Sequence, residues 1–163
     1  MTEAQDPVRV PGYVHGWGSC LFKFDDGTRI NGIVKFGYGD SRKRTKGYGA
    51  GRHQAPTRRA PGQYEVAPGL TDLYKETAQA VRNKLAALAE DGNSYGNVIV
   101  QIELICTEPG RADIMVELHD CCVDEDKSDH AVGPEGLMDQ LSWDVMRVVR
   151  DGKTLYDGTE GQP

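Results

Sequence analysis

No apolar run in this sequence approaches the roughly 20 residues that a membrane helix needs, and the first residues, "MTEAQDP", are acidic and polar. The expectation is a soluble chain made in the cytoplasm, with no membrane partner. The four cysteines, Cys20, Cys106, Cys121 and Cys122, contain no CxxC pair, which argues against zinc ribbons and thioredoxin-type redox motifs and favours reduced structural thiols. Internal repeats and low-complexity blocks are missing too, so residues 1–163 read as a single domain, long enough to bury a core. Positive charge is in short supply, with 19 Lys and Arg against 25 Asp and Glu and a net charge of -6. That balance argues against a general binder of nucleic acid or anionic membrane, because phosphate affinity comes chiefly from positive charge.

Catalytic and cofactor motifs are equally thin. "GYGAG" at residues 47–51 leads into Pro56 and Pro61 instead of a helix N-terminus, and the position five before the "GKT" of residues 152–154 is Arg147, not glycine. Neither therefore has the context of a phosphate-binding loop. His119, Cys121 and Cys122, with His130, offer zinc-type ligands, but adjacent cysteines seldom turn toward one ion. No metal and no cofactor are expected. An exposed member of the Cys121/Cys122 pair is instead a candidate for an interchain disulfide in an oxidising setting. Nothing marks a nucleophile turn or a Ser-His-Asp arrangement, so no catalytic residue is assigned and the chain is not read as an enzyme.

What the sequence does hold is mostly alternation of period two. Cys20, Phe22 and Phe24 share one side of an extended run, "DDGT" supplies turn chemistry, and Ile30, Val34, Phe36 and Tyr38 continue a second run. These two predict a hairpin. Val98, Val100, Ile102, Leu104 and Cys106 share a face opposite Gln101 and Glu103; after "EPGR", Ile114, Val116 and Leu118 alternate with Asp113, Met115 and Glu117. These predict a second hairpin. Residues 120–136 read as an acidic loop, and Leu141, Trp143 and Val145 as a last strand whose pattern slips near Met146 as at a bulge. One helix is predicted, over residues 71–90, with Thr71 as N-cap and Gly92 just past its end. Its apolar stripe is Tyr74, Ala78, Val81, Leu85 and Leu88. The fold class is therefore mainly β, a sandwich or barrel with one flanking helix, behind a flexible N-terminal arm over residues 1–12.

One segment breaks this pattern. Residues 41–62, "SRKRTKGYGAGRHQAPTRRAPG", carry seven basic side chains (Arg42, Lys43, Arg44, Lys46, Arg52, Arg58 and Arg59) and no acidic one. Glycines and prolines there leave no room for regular structure before about Gln63. The expectation is an extended basic loop over residues 39–62, and a loop of that length in a compact domain is usually functional or ordered by a partner. It reads as a nucleic-acid contact, as a solvated loop, or as a contact to an acidic protein surface. The chain has its own acidic counterpart in Asp120, Asp124, Glu125, Asp126 and Asp129, so head-to-tail copies could join opposite charges and propagate into a filament.

In this order the features resemble those of bacteriophage tail tube proteins. The resemblance covers about residues 13–158 and rests on the hairpin "LFKFDDGTRINGIVKFGYG", the Tyr-Gly-x-Gly and Pro-Gly loop, the single helix, the second hairpin and the closing "DGKTLYD". It implies a β-sandwich or barrel, shared with type VI secretion tube proteins, assembling as hexameric rings that stack into a hollow tube for genome passage. The implied location is the virion tail, with sheath and baseplate proteins as further partners and DNA passing without specific binding. By that resemblance Arg42, Lys43, Arg44, Lys46, Arg52, Arg58 and Arg59 reach an adjacent subunit or ring, and Gln101, Glu103, Asp113 and Glu117 are candidates to line the lumen. The rival expectations are a tube-initiating or baseplate component of the same particle, and a DNA-binding accessory protein that uses the basic loop.

Overall fold

The computed structural model describes residues 16–49, 56–130, 133 and 136–156; the 1–12 arm and Arg52 lie outside them. Nine strands and one α-helix follow one another as β1 Cys20–Phe24, β2 Arg29–Ile30, β3 Ile33–Tyr48, β4 Pro56–Tyr74, α1 Lys75–Leu88, β5 Val100–Cys106, β6 Ile114–Asp129, β7 Met138–Asp144, β8 Arg147–Arg150 and β9 Lys153–Thr154. All pairings are antiparallel. The first half of β6 joins a sheet of order β2-β1-β5-β6-β8-β9, and its second half, from Cys122, joins a sheet of order β6-β7-β4-β3. Asp120, with φ of 53°, sits at the corner between them, a left-handed position that aspartate tolerates better than most residues.

Apolar alternation on the two inner faces makes the core. Phe22, Phe24, Val100, Ile102, Val116 and Leu118 come from the first sheet, and Leu73, Leu141 and Trp143 from the second. The Phe22 and Phe36 rings, 5.1 Å apart, link β1 to β3 across the layers. Ala78, Val81 and Leu85 bury one face of α1 in this core, whereas Tyr74 and Leu88 at the ends of the expected stripe are about half exposed. Burying the larger two, Val81 and Leu85, contributes about 1.5–3 kcal/mol each. The Trp143 indole donates to Thr71 Oγ1 at 2.9 Å, which satisfies the polar atom of the largest buried side chain.

Five sequence-based expectations change. The helix starts at Lys75 and ends at Leu88, because Thr71 to Tyr74 instead pair with Leu141 to Met138. The basic segment is paired strand, with Gly39 to Tyr48 opposite Ala67 to Pro56. Residues up to Asp129 of the expected acidic loop are the second half of β6. The β1 run turns back only as the two-residue β2, and from Ile33 the chain leaves for the other sheet. The slip near Met146 is the crossing from β7 to β8, also between sheets.

Candidate assembly interface

Beyond Gly69, β4 has no strand partner except β3 among the described residues, so residues 39–48 and 56–68 form a two-stranded ribbon projecting from the second sheet. Ten residues of β3 at about 3.3 Å each give it a reach of about 30 Å. Ribbon pairing places Lys46 directly opposite Arg59, and Gly47 opposite Arg58. Like charges directly opposed are destabilising, and a two-stranded ribbon is marginal by itself in water. Its base is better held. Arg42 stacks over the Tyr156 ring at 4.2 Å, Arg44 Nη2 donates to the Tyr156 hydroxyl at 2.8 Å, and the Tyr64 ring meets Tyr156 edge-on at 6.2 Å. Tyr64 in turn donates to Asp40 Oδ2 at 2.9 Å, and Arg150 donates to Asp40 Oδ1 at 2.8 Å.

A close approach fixes the ribbon's shape. Register shifts between Arg42 and Arg44, and a Cβ on Gly62 would lie 1.8 Å from the Lys43 carbonyl oxygen. Only glycine admits that contact. Beyond Arg42 the ribbon is cationic: Lys43, Arg44, Lys46, Arg58 and Arg59 are all exposed, and the ion pair to Glu65 at 3.9 Å engages Lys43 alone of these five.

The opposite edge of the same sheet has the other sign. Among the described residues neither β3 nor the second half of β6 has a further strand on its outer side. On β6, Asp124, Glu125 and Asp129 are exposed, with Lys127 paired to Glu125 at 3.0 Å. Asp126 points inward instead. Arg82 on α1 holds it with two hydrogen bonds and reaches buried Asp139 at 2.8 Å, and the Tyr95 hydroxyl donates to Asp126 at 2.6 Å. The Arg82 hydrogen bonds keep the Asp126 carboxyl below its ordinary range, against the upward push of burial.

The remaining sequence-based candidates are spread over other surfaces. Gln101, Glu103 and Glu117 share the outward face of the first sheet, where Lys23 pairs with Glu103 at 3.3 Å and His119 with Glu117 at 3.1 Å; Asp113 is exposed just before β6. Cys121 is fully buried and its thiol is pushed up to about 12 by burial. Cys122 is half-buried, 3.9 Å from Asp144 Oδ2. Sequence reasoning missed the opposed charges on the two edges of one sheet, which only the strand order reveals. It also missed the Tyr156 clamp, whose partners lie 112 residues apart in the case of Arg44.

No protein-family model matches the sequence, and none of the curated proteins matches it. Solved structures do. The tube-terminating cap of the anti-feeding prophage superposes with a TM-score of 0.65 at 12% identity, over 94% of this chain and 99% of that one. A chain of the PVC sheath-tube complex, an extracellular contractile injection system in its extended state, gives 0.61 at 10% identity, over 89% and 95%. Hcp1 from Flavobacterium johnsoniae gives 0.52 at 6% identity, over 85% and 98%. At such identities the likeness is one of architecture, and by it this chain has the fold of the tube proteins of phage-like tails and type VI secretion systems.

Proposed function

We propose that the protein is a structural, non-catalytic subunit of a tail-like tube, assembling as stacked hexameric rings around a lumen through which a genome passes. The observation that carries this reading is the second sheet, which ends in a cationic edge and ribbon on β3 and in an acidic edge on β6. Unpaired edges of opposite charge favour strand addition between copies, main-chain hydrogen bonds giving affinity and charge setting register. The contact is head-to-tail, so it closes into a ring or continues as a filament. Arg42, Lys43, Arg44, Lys46, Arg58 and Arg59 then serve as the ribbon's contacts to the adjacent subunit or ring. Cys122, not the buried Cys121, is the candidate for an interchain disulfide.

Closure of the second sheet turns its outward face to the axis. There Lys35, Asp72, Gln140 and Lys127 lie in one row by register, with Glu125 and Asp129 nearby. A wall with more acidic than basic groups lets DNA slide, because it offers few sites for counterion release. Gln101, Glu103, Asp113 and Glu117 would line the lumen if the first sheet faced inward instead. The experiment is electron microscopy of concentrated protein in low salt, followed by helical reconstruction. Long hollow tubes support the reading and show which sheet faces the axis; a monodisperse monomer at every concentration overturns it.

The likeness to a tube-terminating cap, over 99% of that chain, favours a second reading, a component that begins or ends a tube. Such a protein forms isolated rings and stops, and it works in the virion tail or an extracellular tail-like particle beside sheath and baseplate proteins. The same images separate the two.

A further inference from the structure

We propose that Cys20 and Cys106 are an oxidisable pair that closes into a cross-strand disulfide, tying the start of β1 to the end of β5. The two residues are direct partners in the β1–β5 register. Their sulfurs lie 2.8 Å apart. The Thr107 amide donates to the Ser19 carbonyl at 3.0 Å, one residue beyond the pair on each strand. That bond marks Cys20 and Cys106 as a non-hydrogen-bonded pair, the kind whose Cα atoms stand about 4.5 Å apart and whose side chains are closest. A disulfide spans Cα separations of about 4.4–6.8 Å, so closure needs little movement of either strand. Both thiols are half-buried, which leaves a small oxidant a path to them. Cys121, by contrast, is sealed in the core.

The chemistry is thiol-disulfide exchange with a low-molecular-weight disulfide, glutathione disulfide being the probe. The Cys20 thiolate attacks one sulfur of the oxidant and releases one glutathione thiolate. Cys106 then attacks the Cys20 sulfur and releases the second. Two protein thiols lose two electrons and two protons, and one glutathione disulfide becomes two glutathiones. Burial and the adjacent Cys20 push the Cys106 thiol up to about 12, which assigns it the resolving step, and the Cys20 contribution falls away once that sulfur is capped. The bond would hold the Trp17–Ser19 turn against the body, where the Trp17 indole already donates to the Ile33 carbonyl at 3.2 Å.

The test uses the full chain, incubated with glutathione disulfide at pH 8, alkylated and digested with trypsin. Cleavage at Lys and Arg separates the thiols into the peptides 10–23, 85–111 and 112–127. The expected product is a 10–23/85–111 disulfide peptide, with a Tm raised by roughly 5–10 °C over the reduced protein. It should be lost in Cys20→Ser and Cys106→Ser and kept in Cys122→Ser. Recovery of both peptides alkylated or glutathionylated but unlinked, or linkage only through 112–127, overturns the proposal on the wild-type protein, whatever the variants do.

Discussion

Arg82 grips Asp126 through two hydrogen bonds, Nε to Oδ2 at 2.7 Å and Nη2 to Oδ1 at 2.6 Å. The same guanidinium reaches Asp139, whose side chain is wholly buried, so one helical residue joins α1 to both β6 and β7. Removing it strands a buried carboxylate. Arg82→Ala should therefore cost about 3–5 kcal/mol in urea unfolding, the range for breaking a buried ion pair from one side. Arg82→Lys should recover only part of that loss, because a single ammonium cannot make the two-pronged contact.

Acid should act on the same cluster. The Asp126 carboxyl titrates below its ordinary value when folded, chiefly through the Arg82 hydrogen bonds. A lowered folded value means that its contribution is complete above the unfolded value of about 3.9 and is lost as pH falls through the folded value. The urea midpoint should thus be flat from pH 7 to about 5 and fall below about 4. Asp126→Asn should be less stable at pH 7 and show a shallower acid slope; an unchanged slope would remove Asp126 from the account.

Much of the body was legible from the sequence. Val100, Ile102, Val116 and Leu118 are buried as their alternation requires, and Ala78, Val81 and Leu85 form the buried face of the helix. Each of these elements buries one face, so hydrophobic period and environment agree. The outer ribbon, residues 43–48 and 58–61, is exposed on both faces and carries no hydrophobic period, and nearer the sheet only Tyr64 and Val66 alternate with exposed neighbours, so its strands follow from β3–β4 pairing around a Gly62 that permits close approach. Thr71 resembled a helix cap because its local chemistry fits one, but pairing with Leu141 and the Trp143 hydrogen bond keep it in a strand. The charged residues of the candidate interface were legible one by one. Their placement on opposite edges of one sheet was not, since it depends on a strand order with large sequence separations.

Gly62 offers a test of the ribbon that leaves charge untouched. A methyl group there meets the backbone of Lys43, which cannot rotate away as a side chain would. Gly62→Ala should distort the ribbon while the main sheets persist. The expected readout is faster limited proteolysis after Arg58 and Arg59, with a Tm change of only a few degrees, since among the described residues of the ribbon Val66 alone packs against the core.

Thr71 provides a corresponding test of the core. Thr71→Val keeps the shape but leaves the buried Trp143 indole N–H without its acceptor, which should cost about 1–3 kcal/mol. Thr71→Ser keeps the hydroxyl and should lose less. A shift in Trp143 fluorescence in the valine variant, measured in a Trp17→Phe background that removes the signal of the exposed Trp17, would localise the effect.

Charge reversal on the ribbon should separate folding from assembly, because the two respond in opposite directions. Within one subunit Arg59 faces Lys46 across the strands, and Arg59→Glu converts that repulsion into an attraction worth about 0.2–1 kcal/mol. The isolated subunit should therefore be unchanged or slightly more stable. Between subunits the same change removes a positive charge where an acidic partner edge is expected, so the Arg58→Glu, Arg59→Glu double variant should raise the critical concentration for assembly. Raising salt from 50 to 500 mM should weaken wild-type assembly in the same sense, since exposed charges are screened within about a Debye length. Sedimentation velocity across a concentration series reads both effects. Assembly of the double variant at wild-type concentration, with wild-type salt dependence, would eliminate charge pairing of the ribbon as the force that joins the copies.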